Sequence, residues 1–85
     1  MKIVFHKKFN KKFEKLPQKT KEKFYEKLTL FEINQFDQGL NNHRVNYPYL
    51  GCRSINITGD IRALYEAIAD TVTFIYIGTH SELYK

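Results

Sequence analysis

Tryptophan is absent from this 85-residue chain, cysteine and methionine occur once each, and proline occurs twice. The single Cys52 excludes an internal disulfide and fits a reducing compartment. No base stands beside it in sequence, so it reads as a small core residue and not as a nucleophile. No apolar run approaches the length of a membrane span. The first residues, MKIVFHKKF, hold three consecutive apolar side chains, too few for a signal peptide. The expected location is therefore cytoplasmic, with no membrane association. A Gly-rich phosphate loop, a Cys pair and a His-x-x-x-His pattern are all missing, so no metal and no cofactor is expected. The acidic residues are scattered, which argues against a two-metal nuclease. There are no internal repeats and no low-complexity segments.

What is present is apolar and basic. Hydrophobic residues make up 42% of the chain and thirteen are aromatic, the composition of a compact globule and not of a disordered segment. Residues 1–85 are expected to form a single domain, close to the lower size limit for a self-sufficient core, so a stabilising partner is expected. Charge is uneven. Residues 7–27 hold nine lysines against three glutamates, whereas residues 28–85 hold four Lys or Arg against six Asp or Glu. A basic block joined to a nearly neutral remainder fits a polyanionic partner, and equally a solvated lysine face on helices.

Lys2 to Phe5 reads as a short strand. Phe9, Phe13 and Leu16 then recur at helical spacing, Pro17 divides, and Phe24, Leu28 and Phe31 repeat that spacing in a second helix from Gln18 to about Phe36. Two amphipathic helices joined at Pro17 predict an antiparallel hairpin on an apolar surface. The following FDQGLNNHRVNYPYLG, punctuated by Gly39, Pro48 and Gly51, reads as a long loop, and long loops in small domains are often functional. Ile55 and Ile57 alternate with Ser54 and Asn56, and Ile61, Ala63 and Tyr65 with Arg62 and Leu64, around the turn signal Thr58-Gly59-Asp60. A three-residue loop sets Ile57 opposite Ile61 and Asn56 opposite Arg62, which keeps one face apolar, and is the preferred register. Val72 to Ile77 reads as a central strand ended by Gly78. The fold class is α+β: an N-terminal strand, a two-helix hairpin, then a three-strand antiparallel meander, with one sheet and the helices packed on one face.

A few polar residues stand where chemistry is possible. Arg62 interrupts apolar neighbours in mid-strand, so its charge needs a partner, Glu66 or Asp60 by position, or a use. His80 follows the central strand, as a site residue or a helix cap. His43 lies in the long loop, Arg53 could pair with any acid, Asp60 stands in the turn, and Tyr84 closes the series; His6 reads only as a strand end. Together they fit metal-free RNA cleavage, in which the ribose 2′-OH attacks the adjacent phosphate. Histidines serve as base and acid near neutral pH, arginine stabilises the phosphorane, and an aromatic ring stacks on an unpaired base.

The residues LNNH, GCRSINITGDIRALYE and FIYIGTHSELYK resemble the RelE/ParE toxin superfamily of type II toxin–antitoxin systems, and most of all its YafQ-like mRNA interferases. The ordered set is Leu-x-x-His, Arg-x₆-Asp-x-Arg-x-x-Tyr and Gly-x-His-x-x-x-Tyr, and with the Lys-rich start the likeness spans essentially the whole chain. The resemblance implies a ribosome-dependent endoribonuclease that cleaves mRNA without a metal. It also implies a cognate antitoxin, contact with ribosome and mRNA, and operator DNA reached only through the antitoxin complex. It assigns catalytic roles to His43, Asp60, Arg62, His80 (as general acid) and Tyr84. Arg53, Asn56 and the lysine face of Lys7, Lys8, Lys11, Lys12, Lys15, Lys19 and Lys23 are then expected to bind phosphate or RNA. Asn56 stands where YafQ-like toxins carry a histidine, and Tyr76 where they carry an arginine. Two readings therefore remain open beside it: a non-catalytic ParE-like gyrase inhibitor, and an inactive homologue that only binds an antitoxin.

Overall fold

The computed structural model describes residues 1–46 and 49–83. Strand β1 (Lys2–Phe5) leads into helix α1 (Lys7–Glu14). His6 has extended backbone, and its Nδ1 accepts the Lys8 N–H, so a residue that reads as a strand end also caps the helix. Phe9 and Phe13, one turn apart, give α1 its buried stripe. Pro17 occupies the N-cap of helix α2 (Gln18–Ile33). That helix stops three residues before the expected boundary. Asn34 turns extended, and its side-chain oxygen accepts the Phe36 N–H, offering the backbone a local alternative to the next helical turn.

The stretch that reads as one long loop carries structure of its own. Asp37 accepts the Gly39 N–H and starts a 3-10 turn, Gln38–Leu40, which buries Leu40. Asn41 adopts the left-handed conformation and His43–Arg44 forms a two-residue strand, β2. The period-two pattern cannot show so short a strand, because two residues do not make an alternation. Pro48 lies outside the described residues.

Strands β3 (Arg53–Asn56), β4 (Ile61–Ile68) and β5 (Thr71–Thr79) form the antiparallel meander. The sheet has five strands in the order β1-β5-β4-β3-β2, with β1 parallel to β5. The three-residue turn has the expected register: Asn56 faces Arg62, and the Ile57 N–H donates to Ile61 O. Thr58 Oγ1 accepts the N–H groups of Asp60 and Ile61 and pins that turn. Strand β5 runs through Gly78 to Thr79 instead of ending at the glycine, because Arg62 and Ile61 still pair with these residues. A bulge between Leu64 and Tyr65 of β4 leaves Ile75 unopposed, so the facing of β5 side chains shifts by one there.

The sheet therefore has two unlike faces. Ile55, Ile57, Ala63, Tyr65, Val72, Phe74 and Ile77 pack under the helices against Phe9, Phe24 and Phe31. Ring centroids of this aromatic group lie between 5.0 and 6.2 Å apart, mostly tilted or edge-to-face. On the opposite face Leu64, Cys52 and Val45 form a smaller cluster, closed by Leu83 from the one-turn helix α3 (His80–Leu83). The α-hairpin does not cover this second face.

Candidate active site on the open face

Residues paired across adjacent antiparallel strands point to the same side of the sheet. One cross-strand row on the open face is His43, Ser54, Leu64 and Tyr76. The next row, two residues along, is Asn56, Arg62 and Gly78. His80 follows Thr79, the last residue of β5, and its N–H donates to Asp60 O. The sheet thus brings His43, Asn56 and Arg62 to one face, and a backbone bond joins Asp60 and His80 at the Arg62 end. Tyr84 lies outside the described residues.

Arg62 sits at the centre of its row. Its Nη1 donates to the carbonyls of Thr58, Gly59 and Ile61 at 3.0 to 3.3 Å, and among the described residues no carboxylate is within ion-pair distance. The turn holds the guanidinium through backbone dipoles, so neither Glu66 nor Asp60 neutralises it. A cation held this way keeps its charge available to a ligand. His43 is exposed, and its Nδ1 lies 2.7 Å from Asn41 O. A carbonyl only accepts, so Nδ1 carries the proton and Nε2 is left as the basic nitrogen. Two strands lie between β2 and β5, a separation of about 14 Å. His43 on β2 and His80 just past the end of β5 are therefore carried on opposite sides of the strand that holds Arg62. The Oγ of Ser54 and the Oδ1 of Asn56 are buried and have no hydrogen-bond partner among the described residues.

Arg53 is not brought to this group. It pairs with Tyr65 on the helix side of the sheet, donates through Nε to Asn42 Oδ1 at 2.7 Å, and lies 5.2 Å from the Phe36 ring centroid. Asn42 is fixed in turn by Tyr65 Oη and Gln35 O. With Arg44, Arg53 lines a separate cleft of about 480 Å³. Burial, helped by the charge of Glu66, pushes the Cys52 thiol up from its ordinary value, as suits an inert core cysteine. Lys7, Lys8, Lys11, Lys15, Lys19 and Lys23 are exposed. Lys19 and Lys23 line a shallow groove with Thr58, next to the turn that holds Arg62, although Glu22 and Glu26 line it too.

Lys12 departs from the other lysines. Its Nζ lies 2.6 Å from Glu82 Oε2 and 5.6 Å from the Tyr76 ring centroid. Glu82 in turn accepts the Thr79 N–H through Oε1 at 2.8 Å, while its own N–H donates to Thr79 Oγ1. Thr79-His80-Ser81-Glu82 is a capping box. Sequence reasoning passed over Lys12 and Glu82 as a pair, yet the Thr-x-x-Glu spacing was a signal for half of it. The Lys12 ammonium and the Thr79 N–H hold the Glu82 carboxyl down at about 2.

A twisted five-stranded sheet, backed by a helical hairpin and open on its other face, is the RelE/ParE-like architecture. Solved structures share it over nearly the full chain. YafQ from Escherichia coli strain BL21(DE3) superposes with a TM-score of 0.80 at 23% identity, covering 98% of this chain and 97% of that one. A chain of the E. coli DinJ–YafQ toxin–antitoxin complex gives 0.77 at 23%, covering 98% and 96%. A YoeB/ParE toxin from Agrobacterium tumefaciens gives 0.78 at 18%, covering 94% and 99%. The sequence matches no protein-family profile and no curated protein.

Proposed function

We propose that this protein is the toxin of a type II toxin–antitoxin pair and an endoribonuclease that cleaves mRNA on the ribosome. The observation that carries this reading is Arg62, held at the centre of an open face by carbonyls and flanked by His43 and His80. Phosphoryl transfer with the attacking and leaving oxygens in line needs a base and an acid on opposite sides of the phosphorus, with a cation over the equatorial oxygens. His43 Nε2 takes the 2′-OH proton, and the 2′-oxygen bonds to phosphorus. Arg62 stabilises the charge that develops there. His80 gives a proton to the departing 5′-oxygen. The products are a 2′,3′-cyclic phosphate and a 5′-hydroxyl end, and no metal or cofactor enters a step. Asp60, whose carbonyl accepts the His80 N–H, is assigned the supporting carboxylate role, and Tyr84 the stacking role.

The exposed lysines of α1 and α2 bind ribosomal RNA in this account, and the antitoxin covers the open face. Operator DNA is reached through that complex, and the protein works in the cytoplasm. Arg53, tied to Asn42, braces β2 beneath His43. Asn56 supplies hydrogen bonds where a histidine would act, and Lys12 brings a cation to the ring of Tyr76. The test is the chemistry of the cut ends. Purified protein added to translating ribosomes should leave 2′,3′-cyclic phosphate and 5′-hydroxyl termini. Intact mRNA together with inhibited gyrase supports the non-catalytic alternative instead. Intact mRNA with no inhibition, but retained antitoxin binding, supports an inactive homologue.

A further inference from the structure

The two oxygens of Glu82 are divided between two structures. Oε1 closes the capping box on Thr79, and Oε2 meets Lys12 from α1. Gly78 makes room for this arrangement: a Cβ there would stand 3.0 Å from Glu82 Oε1 and 3.2 Å from the Tyr76 ring. Helix α3 is a four-residue turn, too short to persist by its own backbone bonds. Its attachments are therefore external: Leu83 buried on the open face, the His80 N–H on Asp60 O, and the Glu82 bridge to α1. His80 is the first residue of that turn and lies between the two halves of the box.

We propose that Glu82, bridged by Lys12, is a positioning residue that holds His80 beside the Arg62 row; the proposal rests on the nuclease reading above. Glu82 touches no reacting atom in this account and acts through the turn that carries the imidazole. A side chain that only stabilised the fold would give protein stability and nothing specific to His80. The low carboxyl value fits a bridge that is formed at neutral pH. It lies below the ordinary value of 4.5, so the contribution is complete above about 4.5 and fades as pH falls toward 2.

The test compares wild type with Glu82→Ala, Glu82→Gln, Lys12→Met and Lys12→Arg in the full chain. Two readouts are taken at neutral pH: backbone ¹⁵N relaxation of residues 79–83 with the His80 ring resonances, and single-turnover cleavage of ribosome-bound mRNA. Glu82→Ala should loosen residues 80–83, shift the His80 ring resonances and lower the cleavage rate constant about 10- to 100-fold. Half-saturation should move less than threefold. Glu82→Gln keeps an acceptor for Thr79 but loses the charge facing Lys12, so its loss should be intermediate. Lys12→Arg should recover most of the loss seen in Lys12→Met, because a guanidinium can still bridge to the carboxylate.

If α3 and His80 stay as ordered in Glu82→Ala and Lys12→Met as in wild type, the proposal is wrong. It is equally wrong if the turn loosens and the rate constant does not change. A wild type that cleaves nothing overturns the nuclease reading, and the catalytic role of Glu82 falls with it; the relaxation data then separately decide whether Glu82 holds His80. If Glu82→Ala does not fold, the two Lys12 variants carry the same comparison.

Discussion

Replacing Arg62 separates its charge from its place in the fold. Its Nη1 contacts are three bonds from one donor to a single turn, at 3.0 to 3.3 Å on a half-buried side chain. Losing them in Arg62→Met costs about 1 kcal/mol, the net worth of a hydrogen bond that water can replace. An 85-residue protein has a stability of roughly 4 to 13 kcal/mol, so the variant should fold. The transition state loses far more. Among the described residues Nη2 and Nε make no bond to the turn; in the proposed reaction they meet phosphorane oxygens, and removing such a preorganised donor costs about 2.7 to 4 kcal/mol. The cleavage rate constant should then fall about 100- to 1,000-fold. Arg62→Lys should recover little of this, because an ammonium lacks the planar fork. The assay is single-turnover cleavage on programmed ribosomes, beside urea unfolding of each variant. A folded Arg62→Met that cleaves within threefold of wild type refutes the role assigned to this guanidinium.

Phe74 is fully buried, stacks on Phe5, tilts against Phe9 and Tyr65 and meets Phe24 and Phe31 edge to face, so Phe74→Ala should cost about 3 to 5 kcal/mol, read as a lower urea midpoint; a loss under 1 kcal/mol would show a core that collapses into the gap. Cys52 is 7% exposed with its thiol pushed up, so an aromatic disulfide reagent at neutral pH should label it only as fast as the protein opens. Labelling at the rate of a free thiol in the native state contradicts its burial. Reversing the charge of Lys7, Lys8, Lys11 and Lys15 together should weaken ribosome binding and flatten its salt dependence, whereas binding unchanged at moderate salt rejects α1 as an RNA-facing surface.

Where the sequence was legible, a local pattern was enforced by burial. Ile55, Ile57, Ile61, Ala63 and Tyr65 alternate because one side of the meander lies under the helices, and that alternation admits one register about Thr58-Gly59-Asp60. Phe9, Phe13, Phe24 and Phe31 reveal the hairpin for the same reason. What could not be read depends on contacts between distant residues. The β5 bulge at Ile75 leaves no mark in an apolar run, and β2 is too short to alternate. The Asn34 side chain ended α2 before the apolar spacing did. Arg62 stands out in the sequence because a charge among apolar neighbours is costly, and His80 because it follows a central strand. Strand alternation with Ile55 and Ile57 already puts Arg53 on the helix side, but its bond to Asn42 lies eleven residues away, and the Lys12–Glu82 bridge spans seventy residues.

The proposed transfer of a proton from His80 during cleavage of translated mRNA is tested most directly by mapping mRNA 5′ ends in a bacterial host. Wild type and His80→Ala are each induced, with their soluble levels matched. The account predicts new 5′ ends inside translated codons for wild type, and their loss in His80→Ala. Identical cleavage by both proteins, or growth arrest by both with no cleavage, would contradict it.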